Sequence, residues 1–327
     1  MSKTLEVEVV LSHSERLPIV DVWMVVDILR ASTVMVRWFA LGGGDLYPTD
    51  SVASALQLAE ALRQEGQMPA LMGEQNAIAP EGFDLGNSPA EIAGEVTRKY
   101  SCAVMATTNG TKALLKAASM GMPVLVACAR NAFAALDLAL SKGRRVGIFC
   151  SGRKGRPAWD DTLCAGLLIS RLKEQFPDTR LADSARLAYL TYQTSKNFEA
   201  SLRTANHAVF LDKIGFGDDI AFAAEIDADH SVPELIEIAG EGTGRVVLRE
   251  GRTDGTPLLL RKLPENPVHA AEPEPALSFD PFAENAENTE IDETGPGADT
   301  PKPLDHVFLA GVGHRKRRGR GERERRA

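Results

Sequence analysis

The chain has 327 residues, a formal net charge of −8, and 44% hydrophobic and 25% charged residues, a composition ordinary for a globular protein. Its length suits two ordinary domains or one large α/β domain with a tail, and its net acidity argues against nucleic acid as the main partner. No apolar run approaches the ~20 residues of a membrane span, the N-terminus MSKTLEVEVV alternates like a strand instead of a signal peptide, and Cys102, Cys128, Cys150 and Cys164 form no CxxC pair, so a cytoplasmic protein without a membrane partner is expected.

In chain order, short apolar runs alternate with helical patterns. LEVEVVL and VDVWMVVD read as strands, ASTVMVRWFALG and SVASALQLAEALRQEG as helices. PALMGE, SPAEIAGEV, CAVMATT, GTKALLKAASMG, PVLVACA, NAFAALDLALSKG, RRVGIFCSG and WDDTLCAGLLISRLKEQF continue the rhythm. Helical pattern dominates residues 182–239, and GRVVLREG at residues 244–251 reads as a late strand. Strands separated by helices of about a dozen residues predict an α/β fold with a largely parallel sheet and helices on both faces. Two similar lobes, the smaller starting near Ala182, stay open.

The body is expected to span residues 1–262 and a disordered tail residues 263–327. Within the tail, residues 265–305 are strongly acidic around a single Lys302, and residues 315–326 are almost wholly basic; such segments bury too little apolar surface to offset the entropy of ordering. Nucleic-acid contact through HRKRRGRGERERR is the sharper alternative.

In parallel α/β sheets ligands bind at the carboxyl ends of strands, and here those ends share one chemistry. The candidates are Asp27, Arg30, Ser32 and Thr33; Glu74; Thr107, Thr108, Asn109, Gly110 and Thr111; Arg130 and Asn131; and Cys150, Ser151, Gly152 and Arg153. Hydroxyls, amides, glycines and arginines before helix N-termini suit a phosphate or sulfonate, because unpaired N–H groups and the helix dipole attract anions. Asp27, Glu74, Asp84, Asp160, Asp161, Asp218 and Asp219 offer oxygen ligands for Mg²⁺, although Asp160-Asp161 and Asp218-Asp219 also read as helix caps. Zinc is not expected, since His13, His207 and His230 have no ligand spacing with a cysteine. No GxxxxGK[ST] loop occurs, and residues 240–244 (GEGTG) read as a turn. Asp27-Ile28-Leu29 lacks the second aspartate of a DxD phosphatase. Cys150 and Arg156 stand as C-x₅-R between a strand and a helix, the arrangement of a cysteine phosphatase.

Together the strings Asp27-Ile28-Leu29-Arg30-Ala31-Ser32-Thr33, Gly73-Glu74, Gly82-Phe83-Asp84-Leu85-Gly86-Asn87-Ser88-Pro89, Thr107-Thr108-Asn109-Gly110-Thr111, Asn131, and Asp161 before Ala165-Gly166 resemble the 2-phosphosulfolactate phosphatase family. The likeness spans residues 5–240, with looser pieces at residues 215–220 and at Val232-Pro233. It implies an unusual α/β architecture and a Mg²⁺-dependent phosphatase converting 2-phospho-3-sulfolactate to sulfolactate, a step in coenzyme M synthesis. The expected partner is a small phosphorylated, sulfonated substrate, and a homodimer is open. Asp27, Arg30, Glu74 and Asp161 are the expected catalytic residues. Asp27, Glu74, Asp84 and Asp161 are the expected metal ligands. Ser32, Thr33, Asn87, Ser88, Thr108, Asn109, Gly110, Thr111, Asn131, Ser151 and Gly152 are expected to bind substrate. Asp27 and Arg30 are expected in a solvent-facing loop, where a local ion pair between them is the alternative reading. A non-catalytic anion-binding or regulatory protein is the alternative function.

Overall fold

The computed structural model describes residues 4–238 and 245–251. The turn expected at residues 240–244, the boundary at 262, and the tail at 263–327 with its proposed nucleic-acid contact lie outside the described residues.

The first half of the chain runs β1 (Glu6–Val10), β2 (Val22–Val26), α1 (Ala31–Ala40), β3 (Leu46–Thr49), α2 (Val52–Gln64), β4 (Pro69–Gly73), α3 (Gly94–Lys99), β5 (Cys102–Ala106), α4 (Gly110–Ala118) and β6 (Val124–Val126). It continues as α5 (Ala132–Lys142), β7 (Arg145–Cys150), α6 (Trp159–Gln175), β8 (Arg180–Leu181), α7 (Asp183–Gln193), α8 (Phe198–Arg203), α9 (Asn206–Lys213), α10 (Gly217–Ala224), β9 (Pro233–Ile238) and β10 (Arg245–Glu250). All residues of β2, β4, β5 and β6 are buried. That is why these strands read as unbroken apolar runs: a strand covered on both faces has no polar side to alternate with.

Among the described residues ten strands form one sheet in the order β4-β5-β3-β10-β9-β6-β2-β7-β1-β8. Strands β4, β5 and β3 make one parallel block, and β6, β2, β7, β1 and β8 another. The antiparallel pair β9 and β10 joins them, with β10 on β3 and β9 on β6. Helices cover both faces, as the two-residue period of β5 shows. Cys102, Val104 and Ala106 pack with Ala55, Ala59 and Leu62 of α2, whereas Ala103 and Met105 point into the main core with Val34, Trp38 and Leu114.

Besides the two-residue strand β8, which the sequence reading did not contain, the structure departs from that reading in two places. Residues 233–238 form β9 and not helix, held by ladders to β10 and β6 that no local pattern reveals. Strand β3 went unpredicted because Leu46–Thr49 is short and contains Pro48. After Ala182, the described residues Ala185, Ala188, Leu202, Leu211 and Ile220 pack into the main core. Helix α7 lies so close to α6 that a Cβ on Gly166 would stand 2.1 Å from the Ala188 carbonyl oxygen, which explains a glycine inside a helix.

Candidate active site

The site begins where β2 ends. Asp27 leaves the strand, and the chain passes through a cis Leu29–Arg30 peptide into α1. Ser32 and Thr33 brace this turn from within. The Asp27 amide donates to Ser32 Oγ (3.1 Å), the Ser32 amide to the Asp27 carbonyl (2.9 Å), and Thr33 Oγ1 to the Ile28 carbonyl (2.8 Å). The Asp27 Oδ1 accepts from the Ala31 amide, the first of α1, at 3.3 Å. The loop is not solvent-facing: Asp27 and Arg30 are 8% and 2% exposed.

A cavity of about 400 Å³ opens here. Among the expected residues it brings together Asp27, Arg30, Glu74, Asn87, Thr108, Asn109, Ser151, Gly152 and Asp161. Each is held from a distant segment. Glu74, after β4, accepts from the Thr108 amide (2.7 Å) and the Ala77 amide (2.8 Å), tying the ends of β4 and β5 together. Asp161, in the first turn of α6, accepts from the Ile28 amide, Ser151 Oγ and the Gly152 amide, all at 3.0 Å. It thereby clamps the β2 and β7 ends. Arg30 donates to Asp219 Oδ2 (2.8 Å) and the Ala77 carbonyl (2.8 Å) and lies over the Phe216 ring at 4.3 Å. Its ion-pair partner is thus Asp219, and the local Asp27–Arg30 pair is absent among the described residues. Asn87 is buried, and its Oδ1 has no partner among the described residues.

Other expected residues lie outside the cavity. Asp84 is exposed and bonds the Leu71 amide (2.9 Å) and Tyr100 hydroxyl (3.1 Å), so it does not join the other carboxylates. Ser88 donates to Asp219 Oδ1 at 2.6 Å. The Thr111 hydroxyl stays with the Thr107 amide and carbonyl in the first turn of α4. Asn131 is engaged by the Cys128 amide and the Val126 and Ser231 carbonyls. Gly110 abuts the site instead of lining it: a Cβ there would stand 2.7 Å from Asp27 Oδ2 and 2.6 Å from Ala31 Cβ. Only glycine lets α4 begin against Asp27. Cys150 is fully buried outside the cavity and Arg156 is exposed.

Electrostatics set Asp27 apart. Burial pushes its carboxyl from 3.8 up to about 6; Asp160 and Glu74 add to the rise, while His207 and a hydrogen bond from Ser151 oppose it. Asp161 is pushed well above the usual carboxylate range by burial, then by Asp160 and Asp27, against its bonds from the Ile28 and Gly152 amides. Burial, then Asp161 and Asp160, also hold the Cys150 thiol far above its normal value. A reactive cysteine needs the reverse, an electropositive and partly exposed setting, so the C-x₅-R reading fails here on physical grounds.

Arg153 and Asp160, named from the sequence as a strand-end cation and an oxygen donor, also line the cavity, as do Lys154, His207 and Phe210, which sequence reasoning left out. Lys154 directly follows a strand-end motif and was within reach of that rule. His207 and Phe210 were not, because α9 reaches the site only through tertiary packing. Among the described residues no three His, Cys, Asp or Glu side chains form a compact ligand group.

The 2-phosphosulpholactate phosphatase family model matches residues 9–237. A probable 2-phosphosulfolactate phosphatase of Pseudothermotoga lettingae is 34% identical over 218 residues, 66% of this chain and 90% of that protein. Proteins of the same printed name from Thermus thermophilus (36% over 236 residues, 69% and 93%) and Deinococcus radiodurans (33% over 217 residues, 66% and 88%) are similarly related.

Proposed function

The chain belongs to the 2-phosphosulfolactate phosphatase family, and from that premise we propose that it hydrolyses a small phosphomonoester, 2-phospho-3-sulfolactate, to 3-sulfolactate and phosphate with the aid of Mg²⁺. The observation that carries this reading is the Asp27 carboxyl, buried in a ligand-sized cavity beside Arg30 and tuned to about 6, the range in which a carboxylate exchanges protons near neutral pH.

Asp27 orients the attacking water and accepts its proton as the new bond to phosphorus forms, while the bond to the ester oxygen breaks and that oxygen leaves as the sulfolactate alkoxide, which takes up a proton from solvent. Arg30 and the N-terminus of α4 hold the phosphoryl oxygens, a fixed cation and helix-end N–H groups at the place where charge shifts. Asp219 and Ser88 keep Arg30 in position.

The donor set suits Mg²⁺, which takes one or two carboxylates plus water and substrate phosphate. Asp160 and Glu74 both raise the Asp27 carboxyl, so like charges converge where a cation would relieve them. Those two residues would hold the ion, whose chemistry is to neutralise phosphoryl oxygens during transfer.

The test is phosphate release from a panel of small phosphomonoesters, with Mg²⁺ and with chelator. Turnover of 2-phospho-3-sulfolactate, lost with chelator and restored by Mg²⁺, is expected; absence of turnover on the whole panel rejects the enzyme reading. Asp160→Asn should raise the Mg²⁺ concentration required, while Asp27→Asn should lower kcat at saturating metal.

A further inference from the structure

We infer that the side-chain oxygen of Asn87 seats the attacking water, accepting a hydrogen bond from one of its protons while Asp27 takes the other. The inference rests on the phosphomonoesterase reading above and deepens it by naming a further group that touches the nucleophile.

Asn87 is 5% exposed and lines the cavity, yet its Oδ1 has no partner among the described residues. A buried acceptor left unpaired is costly to the fold, so an amide kept there answers to something that enters the cavity. Its backbone is pinned on both sides. The Gly73 amide donates to the Gly86 carbonyl (3.1 Å), the Gly86 amide to Glu91 Oε2, and Ser88 Oγ to Asp219 Oδ1 (2.6 Å), the carboxylate that also holds Arg30. The last torsion of an asparagine is broad, so a small rotation about it brings the oxygen to a molecule in the cavity.

Donors and acceptors decide what that molecule is. Above about pH 7 a phosphate ester is mostly the dianion, and with a sulfonate or carboxylate it brings acceptors only, which cannot satisfy Oδ1. Water can. The cavity's other carboxylates are committed: Glu74 to the Thr108 and Ala77 amides, Asp161 to the Ile28 and Gly152 amides and Ser151, and Asp160 to His207 Nδ1 at 3.6 Å. A water held by Asp27 alone turns about that one bond, whereas a second acceptor aims its lone pair at phosphorus for in-line attack. A neutral amide oxygen does this without competing for the proton. As the bond to phosphorus forms, one water proton passes to Asp27, and the other stays on the new phosphate hydroxyl, still donated to Asn87 Oδ1. The contact belongs to the nucleophile and not to the ester, so its loss should lower kcat more than it raises KM.

The experiment compares full-length wild type with Asn87→Leu, an apolar side chain of similar shape, and with Asn87→Ala, which carries the same readings should leucine not fit. With 2-phospho-3-sulfolactate and saturating Mg²⁺, kcat should fall about 30-fold or more with KM within about 3-fold. Urea unfolding of ligand-free Asn87→Leu should match or exceed wild type, because an unpaired buried acceptor has been removed. Calorimetry adds a reading free of turnover. Orthovanadate, which takes up a fifth, apical oxygen where water attacks, should bind at least about 10-fold more weakly, and inorganic phosphate within about 3-fold of wild type. Equal losses for vanadate and phosphate would overturn the inference by showing a contact to the phosphoryl oxygens, a raised Mg²⁺ requirement by showing an ion ligand, and a fall in stability parallel to kcat by showing a role in the scaffold alone. If wild type turns over no ester, the enzyme reading has failed, but the two anions still read the water seat, and unchanged vanadate affinity in both variants would refute it.

Discussion

Asp27→Asn should make the protein more stable at neutral pH while removing most of its activity. Asp27 is 8% exposed, and burial is the largest cause of its raised carboxyl. A group whose folded value, about 6, exceeds its unfolded 3.8 stabilises the fold while protonated. That stability is complete below about pH 4 and is lost as pH rises through 6. At about 1.4 kcal/mol per pH unit, the ionised carboxylate costs roughly 3 kcal/mol at pH 7.5 relative to the neutral form. Asparagine resembles that neutral form, and its Oδ1 can still accept from the Ala31 amide. Urea denaturation in chelator should therefore show the variant stabilised by roughly 1–3 kcal/mol at pH 7.5, with the difference shrinking toward zero near pH 4. Phosphate release should fall at least about 100-fold, the scale of a lost general base, and the wild-type kcat/KM should decline below about pH 6 as Asp27 protonates. A variant less stable than wild type at pH 7.5, or a difference that ignores pH, would refute the claim that burial of charge dominates at this residue.

Three further outcomes follow from the same geometry. Arg30→Ala strands the Asp219 carboxylate, 2% exposed, with Ser88 as its remaining side-chain partner; thermal and urea unfolding should show a loss of about 3–5 kcal/mol, together with a raised KM, and wild-type stability would contradict the buried pair. Cys150→Ser should keep at least about half of kcat, because a thiol held far above its normal range by burial is not the nucleophile; trapping of a phosphocysteine would reverse that conclusion. Gly110→Ala pushes a methyl group to 2.7 Å from Asp27 Oδ2, so kcat should drop about 10-fold or more for a stability cost of about 1–3 kcal/mol, and near-native kinetics would show that α4 can retreat without disturbing Asp27.

Much of the fold was legible because its signals are local. The all-buried VWMVV of β2 and CAVMA of β5 declare strands within five residues each, and SVASALQLAEALRQ declares the helix α2 with Ser51 as its cap. Strand β9 was not legible, since PELIEI becomes a strand only between β10 and β6. The strand-end rule likewise named Asp27, Arg30, Glu74, Thr108 and Ser151, which line the cavity. It could not separate residues that face the cavity from those that brace it: Ser32, Thr33, Thr111 and Asn131 have the same polar character, yet their hydrogen bonds turn inward.

By itself, then, the sequence determined where β2, β4, β5, β6 and β7 stop and which polar groups stand there, because strand and helix periods and the turn between them depend on a few adjacent residues. Only the tertiary structure decided the pairings. Asp219 meets Arg30 across 189 positions, Asp161 reaches Ile28 across 133, and Asp84 is drawn away to Tyr100. Such partners are chosen by strand order and helix packing, which bring distant segments together. Burial then makes each choice consequential, raising Asp27 to about 6 where an exposed loop would have left it an ordinary carboxylate.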